Sequence, residues 1–231
     1  MSLLRDLRRL FFPHTCRVCG RALVEGEELL CLHCLADMPR TEMHLHPDAD
    51  RQARLLTAAK AIRLASMFYY INGNPYSALI RDAKYNGRPD IDRTLARVFA
   101  SELLPCGFFD GIDLIIPVPM HFLKQARRGY NQAAAIAEGV SDVTGIPVGD
   151  NIVAEKPHRT QTRRSAGERR TIGGDVYGVR HPEELDGLHV LVVDDVLTTG
   201  ATLLACCAAL RKGAPTSARS LLTLAATRFS S

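Results

Sequence analysis

Apolar positions along this chain follow two rhythms: short aliphatic runs, and longer stretches where they recur every three or four residues. The runs at 64–71, 113–119, 151–154, 190–193 and 217–225 predict strands. Between them, 75–85, 90–104, 130–144 and 203–211 carry Ala, Leu, Ile and Val at helical spacing and predict helices. Asn74 and Pro75 open the first of these, a side-chain cap followed by a residue whose φ is already helical. Strands alternating with helices imply an α/β fold with a parallel sheet and right-handed crossovers. Ligands of such sheets lie at the carboxyl ends of the strands, so 117–132 and 194–202 are expected to converge on one crevice. Residues 38–60 are rich in Arg, His, Asp and Ala and are broken by Pro39 and Pro47. They predict a linker or a loosely docked segment. The expected organisation is an N-terminal helix and metal-binding module over 1–40, a linker over 41–62, and an α/β domain over 63–231.

The stretch with the most chemistry is 190–202, VLVVDDVLTTGAT. An aliphatic strand runs into Asp194 and Asp195, then into a Thr/Gly loop and a helix. Thr198, Thr199, Gly200, Ala201 and Thr202 gather hydroxyls and backbone N–H groups at a helix N-terminus, where orphan donors and the macrodipole favour an anion such as phosphate. Two acids beside such a cradle would repel phosphate, unless they bind the hydroxyls of an attached sugar or assist a divalent cation. A sugar 5-phosphate satisfies all of these groups. A buried parallel strand with a Thr cap accounts for the apolar run and one acid, but not for the pair or for the further threonines. This stretch resembles the phosphoribosyl pyrophosphate (PRPP) motif of type I phosphoribosyltransferases. The resemblance implies that Asp194 and Asp195 meet the ribose hydroxyls and that the loop grips the 5-phosphate.

Near the N-terminus, Cys16-x2-Cys19 and Cys31-x2-Cys34 are separated by eleven residues. That spacing lets two tight turns present four thiolates to zinc, and four sulfur ligands would make the ion structural. A pair of disulfides or a redox CxxC are the other readings. The lack of an export signal disfavours the first, and a thioredoxin-like motif needs only one pair on a βαβ frame. His14 and His33 could replace a thiolate, although a solvated role suits them better. Cys106, Cys206 and Cys207 have no ligand spacing and read as small apolar fillers.

Composition narrows the class. In 231 residues, 46% apolar content supports a real core, and a net charge of +4 says little about partners. The distribution says more: Lys156, Arg159, Arg163, Arg164, Arg169 and Arg170 stand against Glu168 within 156–171, leaving the remainder near neutral. No apolar run approaches the ~20 residues of a membrane span, and Arg5, Arg8 and Arg9 interrupt any signal-peptide core. A cytoplasmic protein is expected. Leu3, Leu4, Leu7, Leu10 and Phe11 share one helical face, which suits packing on a neighbouring domain better than lying on a membrane.

Three further stretches stand near the expected crevice. Pro117 and Pro119 stiffen the loop after a buried strand, and fit either a diphosphate-binding loop or a plain strand terminator. Arg128-Gly129-Tyr130-Asn131-Gln132 supplies a cation, a flexible turn and two amides before a helix. It fits a diphosphate or base contact, or a helix start capped by Asn131. Lys84-Tyr85-Asn86-Gly87 fits a helix C-cap with a solvated lysine at least as well as a site role. The basic segment 158–170 has almost no large apolar residues and reads as an exposed loop, a lid or a nucleic-acid contact.

In this order, the N-terminal helix, the CxxC pairs, Lys84-Tyr85-Asn86-Gly87, Pro117-Val118-Pro119, Arg128 to Gln132, Gln161 with its arginines, and the 190–202 motif resemble the ComF family, including its GntX-type members. The resemblance implies a zinc knuckle joined to a phosphoribosyltransferase-like domain. It implies zinc on Cys16, Cys19, Cys31 and Cys34, and a ribose 5-phosphate site on Asp194, Asp195, Thr198, Thr199, Gly200 and Thr202. It also implies an association with DNA uptake alongside a helicase, or with gluconate use. Where the family has an apolar residue after the glutamine and an asparagine after the arginines, this chain has Arg164 and Ile172 or Gly173. The lid is therefore the part that transfers least.

Two functions follow. One is Mg²⁺-dependent transfer of a phosphoribosyl group from PRPP to a nitrogen acceptor, with Asp194 and Asp195 orienting the ribose, 198–202 holding phosphate, and Pro119 and Arg128 meeting diphosphate. The other is a non-catalytic module that binds a nucleotide or single-stranded DNA and acts with a helicase.

Overall fold

The computed structural model describes residues 14–45, 51–120, 129–154 and 177–228. The expected N-terminal helix, Arg128 and the basic segment 156–171 lie outside these residues.

Four parallel strands form the sheet, in the order β1 (Leu64–Tyr70), β6 (Ala218–Thr227), β5 (His189–Leu197) and β2 (Leu114–Pro117). Side chains alternate faces along β5, and each face has its own core. Leu191 and Val193 pack with Ile91, Leu95, Phe99, Ile136 and Val140, which belong to helices α4 (Pro89–Leu103) and α5 (Gln132–Thr144). Val190 and Val192 pack with Leu55, Leu203, Cys206 and Leu210, from α2 (Arg51–Ala59) and α6 (Ala201–Gly213). Helices on both faces explain why the aliphatic run of β5 is unbroken instead of alternating with polar residues. Cys206 and Cys207 fill the second core, as expected.

Helix α3 (Pro75–Asn86) forms with the local chemistry its sequence announces. Asn74 accepts from the Tyr76 N–H at 2.9 Å, Pro75 opens the first turn, and Gly87 closes the helix in the left-handed region at φ 63°. A side chain there would clash with its own backbone, which is why glycine ends the helix.

Three expectations change. The strand expected over 190–193 continues through both acids to Leu197, with Asp194 opposite Thr223 on β6. Strand β3 (Ile152–Ala154) does not join the main sheet; it pairs antiparallel with β4 (Tyr177–Val179), three residues the periodicity does not reveal. The stretch expected as a linker carries α2, whose Leu55 and Ala59 are buried in the second core. Just before it, the Tyr69 N–H donates to the Pro39 carbonyl, and Arg40 bridges Phe68, so this chain runs antiparallel along the edge of β1.

The N-terminal cysteine module, which carries the short helix α1 (Leu32–Ala36), is continuous with the first core. Cys16, Leu29, Leu30, Cys31, Cys34 and Met38 share it with Phe68, Tyr76, Leu79 and Ile80. The Tyr76 hydroxyl donates to the Cys34 carbonyl at 2.7 Å. Among the described residues, no helix is long and apolar enough to cross a membrane.

Candidate functional site

The carboxyl ends of β5 and β2 lie side by side, because the two strands are parallel and paired in register from Leu114 and Val190 to Pro117 and Val193. The Val118 N–H extends the pairing by donating to the Val193 carbonyl at 2.9 Å. Pro119, half-buried, follows directly. Asn131 ties this loop to α5: its Oδ1 caps the helix by accepting from the Ala133 N–H at 3.1 Å, while its Nδ2 donates to the Val118 carbonyl at 3.0 Å. The capping reading of Asn131 is therefore realised, and the same side chain also fixes the proline loop.

Asp194 and Asp195 stand on the last turns of β5, half-buried. Burial, and then the charge of Asp195, push the Asp194 carboxyl well above the usual carboxylate range, against the pull of the Asp195 backbone N–H at 2.9 Å. Lys84 reaches Asp195 from the last turn of α3, with Nζ and Oδ2 at 3.3 Å. Both side chains are largely shielded from solvent, at 27% and 16% exposed, so screening weakens this pair less than a surface one. Lys84 is thus part of the site as well as of a helix C-cap.

Beyond Leu197 the chain turns through exposed Thr198 and Thr199 into Gly200, buried at φ +80°, and then into exposed Ala201 and Thr202 on α6. Gly200 is the N-cap and offers no side chain to close the helix, so N–H groups of the first turn remain for an anion. The Thr199 hydroxyl accepts from the Ala201 N–H at 3.3 Å and holds the loop in shape. A Cβ on Gly200 would lie 2.8 Å from Cδ1 of Leu55, so α2 forms the back wall of this loop. Leu55 carries no signal of this role in the sequence, because the Arg-, His- and Asp-rich stretch around it, broken by Pro39 and Pro47, reads as a linker.

A second layer lies behind Lys84 and Asp195. Asp92, in the first turn of α4, is wholly buried and meets the Tyr130 hydroxyl at 3.0 Å and Gln132 Nε2 at 3.3 Å. Nothing in the sequence marks it, since an acid in a first turn ordinarily serves the helix dipole in solvent.

In the N-terminal module, the Sγ atoms of Cys16, Cys19, Cys31 and Cys34 lie within 4.8 Å of one another, close enough to hold a zinc ion. Cys19 and Cys31 sulfurs are 3.7 Å apart, which matches the ~3.8 Å edge of a tetrahedron with Zn–S bonds of about 2.3 Å. Burial raises the Cys16 thiol, but backbone N–H groups of Cys19, Cys31 and Val18 outweigh it and bring it down to about 6. Burial holds the Cys34 thiol above its ordinary value. Donors aimed at sulfur favour a thiolate, the form that ligates metal.

Residues 94–228 match the family described as phosphoribosyl transferase domain. Together with the parallel sheet and the acid-then-hydroxyl loop at its carboxyl edge, this defines a phosphoribosyltransferase-type α/β domain preceded by a four-cysteine cluster. The chain is 37% identical over 134 residues to Competence protein F of Haemophilus influenzae, a match covering 56% of this chain and 58% of that protein. It is 30% identical over 192 residues to DNA utilization protein YhgH of Salmonella typhimurium, covering 81% and 80%. Among solved structures, glutamine PRPP amidotransferase from B. subtilis, complexed with ADP and GMP, aligns at a TM-score of 0.41 and 17% identity, over 62% of this chain and 30% of that one. The chain belongs to the ComF family.

Proposed function

We propose that this protein captures PRPP, or a nucleotide carrying a ribose 5-phosphate, at the carboxyl end of β5. The observation that carries the reading is the continuity of one segment, in which two acids near the end of a central strand lead, five residues on, into a helix whose N-cap is Gly200 and whose start is flanked by exposed threonines. Phosphate takes the first-turn N–H groups of α6 and the hydroxyls of Thr198, Thr199 and Thr202. The ribose hydroxyls then fall to Asp194 and Asp195. Asp195, fixed by Lys84, accepts a hydrogen bond from a ribose hydroxyl, while Asp194, whose carboxyl burial pushes upward, can also donate one. Pro119, on a loop tied down by Asn131, and Arg128 meet the diphosphate. Mg²⁺ arriving with the ligand would be held chiefly by the ligand's own oxygens and would supply charge neutralisation at the diphosphate. Transfer of the phosphoribosyl group to a nitrogen acceptor is the reaction open to such a donor, and the chain contributes positioning and charge stabilisation. Zinc, on Cys16, Cys19, Cys31 and Cys34, has a structural role, since four sulfur ligands leave no position for water.

Calorimetry tests the reading. PRPP with Mg²⁺ gives heat with the native chain and none with the Asp194→Asn/Asp195→Asn double variant. Absence of heat with the native chain overturns it.

The names of the relatives, a competence protein and a DNA utilization protein, favour a second reading. Here the same pocket senses a nucleotide, while the basic residues of 156–171 hold single-stranded DNA beside a helicase in the cytoplasm. Contacts with several phosphates give a steep loss of DNA affinity with added salt, and a flat titration excludes this role.

A further inference from the structure

Asp92 has an environment unsuited to a carboxylate. It is fully buried, Oδ1 has no hydrogen-bond partner among the described residues, and both partners of Oδ2 are neutral groups, the Tyr130 hydroxyl and the Gln132 amide. Lys84, the nearby cation among the described residues, makes its ion pair with Asp195 instead. An ionised oxygen left without a donor costs far more than a neutral one.

Counting protons sharpens the point. The single hydroxyl proton of Tyr130 has two acceptors within reach among the described residues, the Ala83 carbonyl at 2.7 Å and Asp92 Oδ2 at 3.0 Å. A carbonyl can only accept, so the shorter contact takes the phenol proton. The Tyr130 oxygen then faces Asp92 Oδ2 as one acceptor facing another, unless Asp92 brings a proton of its own.

We propose that Asp92 is a neutral carboxylic acid that donates to Tyr130, and that it is the positioning residue that holds the last turn of α3 where Lys84 can reach Asp195. The relay runs from the Asp92 proton to Tyr130, from Tyr130 to the Ala83 carbonyl, and so to Lys84, the next residue of α3. The groups facing Asp92 agree with it: burial raises its carboxyl to about 7, with Tyr130 and Gln132 opposing, Asp195 on β5 adding to the rise and Lys84 on α3 opposing it. Ionisation would place a second carboxylate in competition with Asp195 for Lys84, and the sugar site would loosen as pH rises through neutrality. The sign for stability is the same. Below about pH 4 both folded and unfolded chains hold this proton; above that only the folded chain does, so the stabilising contribution declines as pH rises towards about 7 and is lost beyond it.

The protonation state stands on the geometry alone, whereas a role in ligand capture rests on the proposed ribose site. One experiment separates them. In the full chain labelled with ¹³C at aspartate carboxyls, the signal missing from Asp92→Asn identifies Asp92, and it should titrate two or more pH units above an exposed aspartate. Titration near pH 4 overturns the neutral acid. The Asp195 signal should show a step at the Asp92 midpoint that vanishes in Asp92→Asn, while any step from Asp194 remains. An Asp195 signal without that step overturns the positioning role. Ribose 5-phosphate affinity should fall severalfold between pH 6 and pH 8.5, with part of that fall removed in Asp92→Asn. If ribose 5-phosphate fails to bind the native chain, the sugar-site reading fails while both carboxyl results stand. An unaltered pH profile in Asp92→Asn overturns the link between Asp92 and the site.

Discussion

Replacing Gly139 with alanine sets two effects of opposite sign against each other. In the interior of α5, local propensity favours alanine by about 1 kcal/mol. The structure opposes it, because a Cβ at this position would lie 2.4 Å from the backbone oxygen of Arg93 and 2.8 Å from the Cβ of Ala96, both on α4. Ordinary contact begins near 3.4 Å, so the two helices must part by about 1 Å, and a backbone oxygen cannot rotate aside as a side chain can. Overpacking of this kind costs about 1–3 kcal/mol, and a backbone clash belongs at the upper end. The net destabilisation is about 2 kcal/mol, or about 4–8 °C in Tm for a chain of this size. Calorimetric melting of the native chain and Gly139→Ala measures it. The same separation draws Asp92 on α4 from Tyr130 and Gln132 at the start of α5, so ligand heat should fall with Tm. An unchanged or raised Tm would refute the argument, since it would mean that helix propensity outweighs the contact.

Asn131→Ala removes both the cap of α5 and the tether to Val118, and should cost about 1–2 kcal/mol in denaturant unfolding together with weaker PRPP binding; unfolding identical to the native chain contradicts the tether. The chain as purified should carry one zinc per molecule by atomic absorption, and a strong chelator should lower Tm for the whole domain because the cysteines share its core with Tyr76 and Ile80. A melt indifferent to the chelator counts against metal in the cluster.

The elements legible in the sequence are those whose signals are local. Asn74, Pro75 and Gly87 bracket α3 with their own side chains and φ values, and the four aliphatic residues before Asp194 can only be a strand buried on both faces. The far end of that strand is not legible, because two adjacent acids read as a stop. Asp194 pairs with Thr223 of β6 and the ladder resumes at Val196, so the two half-buried acids at the carboxyl end of β5 do not stop the strand. Helix α2 hid in a polar stretch because Leu55, Leu56 and Ala59 suffice to anchor it. Asp92 and the reach of Lys84 were beyond sequence reasoning altogether, since both depend on which helix the fold lays beside β5.

The hydrogen bond from Tyr76 to Cys34 bears on where this chain can be cut. The phosphoribosyltransferase match begins at residue 94, inside α4, and a shortened protein drawn to that boundary would lack β1, which pairs with β6, and α3, which carries Lys84. Restoring those elements but not the cysteines would strip Leu29, Leu30 and Met38 from the first core and leave the Tyr76 hydroxyl facing the gap. Trading knuckles between relatives would therefore demand matched changes at Tyr76, Leu79 and Ile80. The knuckle is heritable as part of the sheet it covers, and not as a cassette.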